Sequence, residues 1–361
     1  MNLGFIKAGI RIPLRRYFSK NGKFEGNTKQ ICEQIVDKTW NGQYYQTGLG
    51  HFNYFWIRDF GIVVDSLIKT GNLDRVQCTI EWALSKYLQA EKITLCIHSN
   101  GRLFDAPKRS IDALPWLLHS ISKSQYKLSD QQKQFLEKEI VKYTHDFIDS
   151  KNGDIMSGVS YSELRDAVNY KKSAYAICMV YTAVKASNEL GLKGFKHKSI
   201  VYGKILDSYW NGKYYNADTN NDTFSAECNL LPFTLNIVND KDKIKSIFDY
   251  ISEKKINLPY PMKYTNDKSK FKYRWWGNLI MPNYAGSTIW TWMGAIYLQL
   301  LHEYSSPEFK GQLQQFKKII KKHRNFPELL HPDGEWYQVP LYRGDEGMIW
   351  AALLLEVLTR K

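Results

Sequence analysis

The sequence lacks the patterns that identify several common classes of protein. Its five cysteines stand far apart and are odd in number, and no pair has the spacing of zinc ligands. This predicts reduced thiols in a cytoplasmic protein rather than a disulfide framework or a metal site. Residues 1–20 are basic but carry no apolar run long enough for a signal peptide or a membrane span, so we expect no membrane association.

Familiar catalytic motifs are missing as well. The chain contains no glycine-rich phosphate loop, no Gly-x-Ser-x-Gly nucleophile elbow and no His-Glu-x-x-His zinc motif. Its eight histidines are scattered without the spacing of metal ligands. We therefore expect neither a metal nor an organic cofactor.

Aromatic residues are abundant, at 14% of the chain, with 11 Trp and 24 Tyr. These side chains are rigid stacking surfaces with one polar group, and the tryptophans cluster in short polar motifs. The formal net charge is +14, but Lys and Arg are spread along the chain. The densest basic run, 317–324, has apolar residues at helical spacing, which favours a solvated helix face over a nucleic-acid patch. A nucleic-acid binder is the alternative, and its binding would fall steeply with salt.

Apolar residues recur at spacings of three and four, which predicts helices separated by turn-rich connectors. Strand-like alternation is scarce. Twelve helices without a hinge-like linker predict six stacked hairpins, an all-α (α/α)6 barrel in residues 28–361, preceded by a basic extension in residues 1–27. The predicted helices are 28–38, 57–70, 74–90, 110–123, 129–149, 171–190, 196–208, 225–237, 241–253, 285–305, 308–322 and 345–359.

A short turn pattern recurs along the chain. Residues 39–45 read Thr-Trp-Asn-Gly-Gln-Tyr-Tyr, residues 209–215 read Tyr-Trp-Asn-Gly-Lys-Tyr-Tyr, and residues 333–337 resemble them more loosely. The Asn-Gly pair indicates a tight turn, and each copy follows a helical stretch. The pattern indicates a weak internal repeat of helix and turn.

The segment 53–61 places an arginine and a carboxylate inside an aromatic run. Trp56, Arg58 and Asp59 lie here, directly before an apolar helical stretch. Because burying charges is expensive unless they are paired, these residues suit the floor of a polar pocket with a stacking face. Such a pocket would suit a sugar, which has apolar C–H faces and a rim of hydroxyls. The alternative is an ordinary helix start, where Asp59 is favoured by the helix dipole.

Four further connectors carry candidate site residues. Asp112, before Trp116, either favours a helix start or holds a sugar hydroxyl. Glu163 is a candidate acid whose pKa would be raised by desolvation, and the alternative is a surface turn with local ion pairs. Near the C-terminus, Glu328 and its rival Glu335 share one loop. The paired Trp275 and Trp276, beside Gly and Asn, are more plausible as a binding wall than as core.

Two carboxylates from distant connectors, flanked by tryptophans, fit glycoside hydrolysis. One carboxyl group protonates the leaving oxygen, and the other activates water. In an inverting enzyme the two stand about 6.5–9.5 Å apart. The candidates are Glu163 in one connector and either Glu328 or Glu335 in the other.

Several motifs resemble those of the six-hairpin glycosidases, most closely the glucoamylase-like enzymes of glycoside hydrolase family 15 and the amylo-α-1,6-glucosidase (debranching) and neutral-invertase families. Tyr54 to Gly61 resembles the Trp-x-Arg-Asp segment, and Ser110 to Trp116 is similar to the Asp-Ala-x-x-Trp segment. Tyr161 to Arg165 stands in the place of the Trp-Glu-x-Arg segment, and Pro327 to Leu329 looks like the late Ser-Glu-x segment. The closing 347–352 segment resembles the start of the last helix of the family.

The resemblance implies an (α/α)6 glycosidase of carbohydrate metabolism that acts on α-glucosides with inversion. It implies that Glu163 is the general acid, that Glu328 is the base, and that Arg58 and Asp59 hold the terminal sugar. Asp112 would hold a further hydroxyl, and stacking walls would be formed by Trp56, Trp116, Trp275 and Trp276. Two alternatives stay open: an invertase- or trehalase-like hydrolase or one for β-linked sugars, and a catalytically silent carbohydrate-binding protein on the same barrel.

Overall fold

The computed structural model describes residues 22–219 and 221–360, without the side chains of residues 221, 275, 276 and 278. Most of the predicted basic extension, 1–27, lies outside the described residues. Its last part, residues 22–27, runs along the barrel. There the backbone N–H of Phe24 donates to the carbonyl of Arg324 at 2.8 Å, and the ring of Phe24 is buried.

All twelve predicted helices are present, together with a six-residue helix, α10, that the sequence pattern did not predict. This confirms the expected all-α (α/α)6 fold. The helices are α1 (Thr28–Thr39), α2 (Ile57–Lys69), α3 (Leu73–Gln89), α4 (Ala113–Ser124), α5 (Asp130–Phe147), α6 (Ala174–Glu189), α7 (Ser199–Asp207), α8 (Ala226–Thr234), α9 (Lys241–Glu253), α10 (Trp275–Ile280), α11 (Thr291–Glu303), α12 (Phe309–His323) and α13 (Ala351–Thr359).

The helices form two concentric rings. The inner ring is α2, α4, α6, α8, α11 and α13, each packed against the next, and α13 closes the ring against α2. Inner helices are buried on every side, and residues 291–301 of α11 are all buried. Outer helices bury one face only. Thus α12 buries Phe316, Ile319 and Ile320 and exposes Lys318 and Lys321, as amphipathic periodicity predicts.

Short antiparallel strands join the connectors to one another. Three inner helices begin within two residues of such a strand: β1 leads into α2, β5 into α8 and β6 into α11. The strands are β1 (Phe55–Trp56), β2 (Cys96–Ile97), β3 (Leu103–Phe104), β4 (Asn216–Asp218), β5 (Asn221–Phe224), β6 (Ile289–Trp290), β7 (Leu329–Leu330), β8 (Gln338–Val339) and β9 (Tyr342–Arg343). They pair as β1-β2-β3, β4-β5, β6-β7 and β8-β9.

These pairings explain where the predicted helix boundaries were wrong. The helix predicted from residue 285 begins at residue 291, because Ile289 pairs with Leu330 in the β6-β7 ladder. The helix predicted from residue 110 begins at residue 113, because Ser110 forms an isolated bridge with Ser162. An extended segment that pairs across the molecule leaves no periodic signal in a local window of sequence.

The recurring turn has the same hydrogen bonds in its first two copies. The side chain of Asn41 accepts from the backbone N–H groups of the residues two and three positions later, and Asn211 does the same. In both copies the tryptophan and the second tyrosine face each other in an antiparallel bridge, Trp40 with Tyr45 and Trp210 with Tyr215. The repeat therefore follows outer helices α1 and α7 and turns the chain back toward the inner ring.

All five cysteines are free thiols, four of them buried and Cys78 exposed. Within residues 22–219 and 221–360, no helix has both the length and the apolar character needed to cross a membrane.

Candidate active site

The connectors that precede the inner helices meet at one end of the barrel. Side-chain contacts show this convergence. Arg58, on α2, forms an ion pair with Asp112, the residue that precedes α4. Trp350, the residue that precedes α13, donates a hydrogen bond to Asp59. The residues at the N-terminal caps of the six inner helices are Trp56, Asp112, Ser173, Ser225, Trp290 and Trp350. Helix N-termini carry partial positive charge, so this end of the barrel favours carboxylates and other anionic groups.

Arg58 forms a two-pronged ion pair with Asp112. Its Nε donates to Oδ2 at 2.6 Å, and its Nη2 donates to Oδ1 at 3.2 Å. Asp112 is fully buried and also accepts from the hydroxyls of Tyr175, at 2.5 Å, and Ser110. The two-pronged ion pair favours a positioning role for Asp112, which holds the Arg58 guanidinium in place.

Asp59 lies beside this pair and is half-buried. The indole N–H of Trp350 donates to its Oδ1 at 2.9 Å. Burial raises the pKa of Asp59 to about 7, although Arg58 and the Trp350 hydrogen bond oppose the rise. Asp59 is therefore a carboxyl group at the mouth of the inner ring that can exchange a proton or a hydrogen bond near neutral pH.

The predicted stacking tryptophans occupy different environments. Trp56 is half-buried, with Phe52 edge-on at 5.4 Å between ring centroids, and its Nε1 has no hydrogen-bond partner among the described residues. Trp116 is 1% exposed, lies against Gly61 and donates to Tyr175 at 3.2 Å. Trp116 therefore lies in the core, whereas we expected it to form the open wall of a pocket. The side chains of Trp275 and Trp276, on α10, lie outside the described residues.

Glu163 lies deep at the N-terminal end of α6. It is 4% exposed and accepts from the hydroxyl of Ser173, the N-cap residue of that helix. Burial raises the pKa of Glu163 to about 8, and the negative charges of Glu227 and Asp112 add to the rise. The carboxyl group is therefore protonated at neutral pH, which is the state that a general acid needs.

Asp166 follows in the same connector, and the sequence patterns assigned it no role in the site. Its Oδ2 accepts from Nη1 of Arg58 at 3.4 Å. Its Oδ1 is buried and has no hydrogen-bond partner within the described part of the chain, while the side chain as a whole is 28% exposed. Burial raises the pKa of Asp166 to about 7 against the opposing charge of Arg58. Asp166 is thus a second acid beside Arg58, with one oxygen unbonded within the described residues.

Arg165 ties this connector to two neighbouring ones. Its guanidinium is buried, donates to Ser225 at 2.9 Å and also donates to the carbonyl of Ala285. The guanidinium carbon lies 4.0 Å from the centroid of the Phe271 ring, a cation–π contact. Since Tyr284 is the residue before Ala285 and donates to Glu328, Arg165 connects the two predicted catalytic loops.

Glu328 is held by hydrogen bonds from three residues. It is 1% exposed and accepts from the hydroxyl of Tyr284 at 2.6 Å, from Tyr342 at 2.8 Å to each oxygen, and from the backbone N–H of Asp345 at 2.7 Å. Burial raises the pKa of Glu328 to about 8, against the effect of these donors. Glu335, its rival, has a side chain that is 62% exposed and pairs with Lys322 at the surface.

Local sequence patterns did not identify the partners of Glu328. Tyr284 lies 44 residues before it and Tyr342 lies 14 residues after it, and neither follows a recognisable motif. Within the described residues, no group of three or more His, Cys, Asp or Glu side chains is arranged to hold a metal ion. The site is therefore built from carboxyl groups, tyrosine hydroxyls and the Arg58 guanidinium.

Neither a comparison with protein-family models nor one with curated proteins finds a match to this sequence. Solved structures do match. A glycosidase in complex with glucose superposes with a TM-score of 0.67 at 9% identity, covering 92% of this chain and 95% of that one. A GH63 mannosylglycerate hydrolase from Thermus thermophilus, in complex with Tris, superposes with a TM-score of 0.61 at 11% identity, covering 92% of this chain and 100% of that one. A rhamnosidase from Klebsiella oxytoca with rhamnose bound superposes with a TM-score of 0.59 at 9% identity, covering 94% of this chain and 65% of that one. At these identities the likeness concerns the fold alone, and the chain shares the (α/α)6 fold of these structures.

Proposed function

We propose that the protein is a glycoside hydrolase whose active site is the carboxyl-rich end of the inner ring. The observation that carries this proposal is Glu328, a buried carboxyl group held by two tyrosine hydroxyls and a backbone N–H at the same end of the barrel as Glu163 and Asp166. A base and an acid on separate connectors are what hydrolysis of a glycosidic bond requires. The solved structures that share the fold include complexes with glucose and rhamnose.

Glu328 is the proposed base. Three donors converge on its carboxylate, and hydrogen bonds to the charged form favour ionisation. Because burial raises the pKa of Glu328 to about 8, the base form predominates only above that pH, where the ionised group would take a proton from the attacking water. The donors also hold the carboxylate in one orientation, which a base needs in order to align water with the anomeric carbon.

Arg58 and Asp59 are proposed to bind hydroxyls of the sugar. Arg58 cannot be deprotonated and is fixed by the paired Asp112, so its direction in the pocket is set before substrate arrives. Trp56 supplies a half-buried ring beside them for an apolar sugar face. Trp275 and Trp276 remain proposed stacking residues on the strength of their sequence context.

The acid lies in the connector that carries Glu163 and Asp166. The family resemblance favours Glu163, and its pKa near 8 keeps it protonated. The geometry favours Asp166, because its Oδ1 is unbonded within the described residues and its side chain is more exposed. Each group has one property that the other lacks, and a pair of variants separates them.

We expect the variant of the true acid to lose about 10²- to 10⁴-fold in turnover on a natural glycoside, with KM nearly unchanged. The same variant should keep much of its rate on an aryl glycoside or glycosyl fluoride, because such leaving groups depart without protonation. Glu163→Gln and Asp166→Asn are to be measured on both substrate types, with the surface variant Glu335→Gln as control. Wild-type turnover for both site variants would remove this connector from the mechanism.

The substrate is proposed to be an α-glucoside, hydrolysed with inversion. Product release from maltose, maltotriose, isomaltose, trehalose, sucrose, soluble starch, mannosylglycerate and an aryl rhamnoside is to be followed by NMR. β-Glucose as the first product of an α-linked substrate would support inversion. Release from a different sugar of the panel would replace the α-glucoside assignment. A folded protein that binds sugars but releases nothing would support the silent carbohydrate-binding alternative.

A further inference from the structure

A chain of polar groups continues from Glu328 through Tyr342. Tyr342 donates to both carboxylate oxygens at 2.8 Å. The Nε2 atom of His51 lies 3.4 Å from the same Tyr342 hydroxyl. On the far side of the imidazole, Nδ1 of His51 lies 3.5 Å from Oδ1 of Asp345. Four residues from three segments of the chain thus form one line: Glu328, Tyr342, His51 and Asp345.

The line is held rigidly at both ends. Asp345 is fully buried, and its carboxylate accepts from the backbone N–H groups of His51 at 3.0 Å and Phe52 at 2.9 Å. Its own backbone N–H donates to Glu328 at 2.7 Å, and its carbonyl accepts from the N–H of Glu328 at 2.9 Å. The imidazole of His51 is buried and packs edge-on against Tyr342, with 5.5 Å between ring centroids. The four groups therefore keep their order along the line.

The contacts of His51 with Tyr342 and Asp345 allow two proton arrangements. When Glu328 is ionised and His51 is an imidazolium, the Tyr342 hydroxyl donates to Glu328, and its oxygen accepts from the Nε2–H of His51. When Glu328 is protonated and His51 is neutral, the direction reverses: Glu328 donates to Tyr342, and Tyr342 donates to a bare Nε2, while the remaining imidazole proton is on Nδ1, 3.5 Å from Oδ1 of Asp345. The two arrangements differ by moving one proton along each link, so the line can carry a proton in either direction.

We propose that Tyr342, His51 and Asp345 form a proton relay behind Glu328; this inference rests on the proposed function of Glu328 as the base. When Glu328 takes a proton from the attacking water, Tyr342 accepts that proton and passes its own hydroxyl proton to Nε2 of His51. One proton leaves the water and one proton arrives on His51, and no oxidation or reduction occurs. The buried carboxylate of Asp345 stabilises the imidazolium that results. Tyr342, His51 and Asp345 are positioning residues, since they act through Glu328.

The titratable groups that face the line are few within the described residues. Tyr284, in the segment before β6, donates to Glu328 and also packs edge-on against Tyr342, with 5.3 Å between ring centroids. Tyr337, in the connector before β8, lies 6.1 Å from the Tyr342 ring between centroids, but its hydroxyl donates to the carbonyl of Pro282 at 2.8 Å. Tyr337 therefore belongs to the same aromatic cluster without bonding to Glu328, and Tyr337→Phe is a matched control for Tyr342→Phe.

The first test uses no substrate. Protein labelled with 13C at Glu side-chain carboxyls and 15N at His rings is titrated by NMR from pH 4 to pH 10, and the signals are assigned with Glu328→Gln and His51→Gln. We expect the Glu328 and His51 signals to change together in the wild type, and the His51 titration to shift in Glu328→Gln. In Tyr342→Phe the two titrations should separate, and the midpoint of Glu328 should move upward by about one on the pH scale, because the carboxylate loses a donor. Tyr337→Phe should titrate as the wild type does.

His51→Gln supplies a second line of evidence if Tyr342→Phe does not fold. Glutamine can place an N–H near the Tyr342 hydroxyl but cannot take up a proton. On any substrate that the wild type hydrolyses, we expect kcat to fall at least tenfold with KM unchanged, and the limb of the pH profile assigned to Glu328 to move upward.

The relay would be overturned if the His51 titration curve were unchanged in Glu328→Gln, or if the titration curves of Glu328 and His51 were unchanged in Tyr342→Phe. If no glycoside is hydrolysed, the proposed function fails, while the coupled titration of Glu328 and His51 is still measured. The two failures are therefore distinguishable.

Discussion

Replacing Glu163 with glutamine removes a carboxyl group whose ionisation the folded protein resists. Burial raises the pKa of Glu163 from an ordinary value of 4.5 to about 8. The folded state therefore binds this proton more tightly than the unfolded chain does. The stability that the group contributes is fully present below pH 4.5 and is lost as the pH rises toward 8.

The size of this effect follows from the separation of the two pKa values. The difference is about 3.5, and each unit corresponds to about 1.36 kcal/mol, so the free energy of unfolding of the wild type falls by up to about 5 kcal/mol through this group between pH 4.5 and pH 8. Glutamine does not titrate. Its amide carries two N–H donors where the protonated carboxyl group carries one O–H, so it needs a further acceptor, but that penalty is the same at every pH. We expect Glu163→Gln to gain stability relative to the wild type as the pH rises.

Urea unfolding, followed by tryptophan fluorescence at pH 5, 7 and 9, measures how the free energy of unfolding changes with pH. Glu356→Gln is the matched control, because Glu356 is similarly buried, but the hydrogen bonds from Ser66 and Lys69 outweigh the effect of burial and lower its pKa. The stability from Glu356 is present above pH 4.5 and lost as the pH falls through its lowered pKa, so its variant should be destabilised by a constant amount from pH 5 to pH 9. A stability difference for Glu163→Gln that does not change with pH would refute the burial argument.

Three further variants test other parts of the site. Arg58→Ala should lower the free energy of unfolding by about 3–5 kcal/mol in urea titrations, since it leaves Asp112 charged and buried without its partner; a loss below about 1 kcal/mol would show that the pair is not structural. Gly61→Ala would place a methyl group 2.7 Å from the Trp116 ring and should cost about 1–3 kcal/mol by thermal unfolding, whereas an unchanged melting temperature would mean that the ring can move away. Glu335→Gln should leave turnover unchanged in the sugar-release assay, and a large loss of activity in this variant would favour Glu335 over Glu328 as the base.

The helical architecture was readable from local periodicity. Apolar spacings of three and four located all twelve ring helices, because the face that a helix buries is written into neighbouring residues. The predicted boundaries failed where two-residue strands intervene, as at Ile289 and Trp290. Such strands exist through partners far along the chain, so a local window of sequence carries no sign of them.

Candidate site residues were readable where a residue type is unusual for its surroundings. Arg58 and Asp59 inside an aromatic run, and Glu163 in its connector, were recognised on that ground, and the structure places all three at the N-terminal end of the inner ring. Trp116 has the same unusual context but lies in the core. Asp166 has no such context, and the sequence patterns did not identify it as a site residue. Residue type and spacing do not report which face of a connector turns inward.

The sequence by itself determined the number and order of the twelve ring helices, the aromatic and carboxyl residues available to a site, and the absence of the common cofactor and nucleophile motifs. Only the tertiary structure showed that Glu328 is buried while Glu335, in the same loop, is exposed, and only it brought Tyr342 and His51 into line with Glu328. The physical reason is that helix periodicity depends on residues three and four apart. Burial and hydrogen bonding at the mouth of the barrel depend on closing the ring between α13 and α2, which joins segments about 290 residues apart.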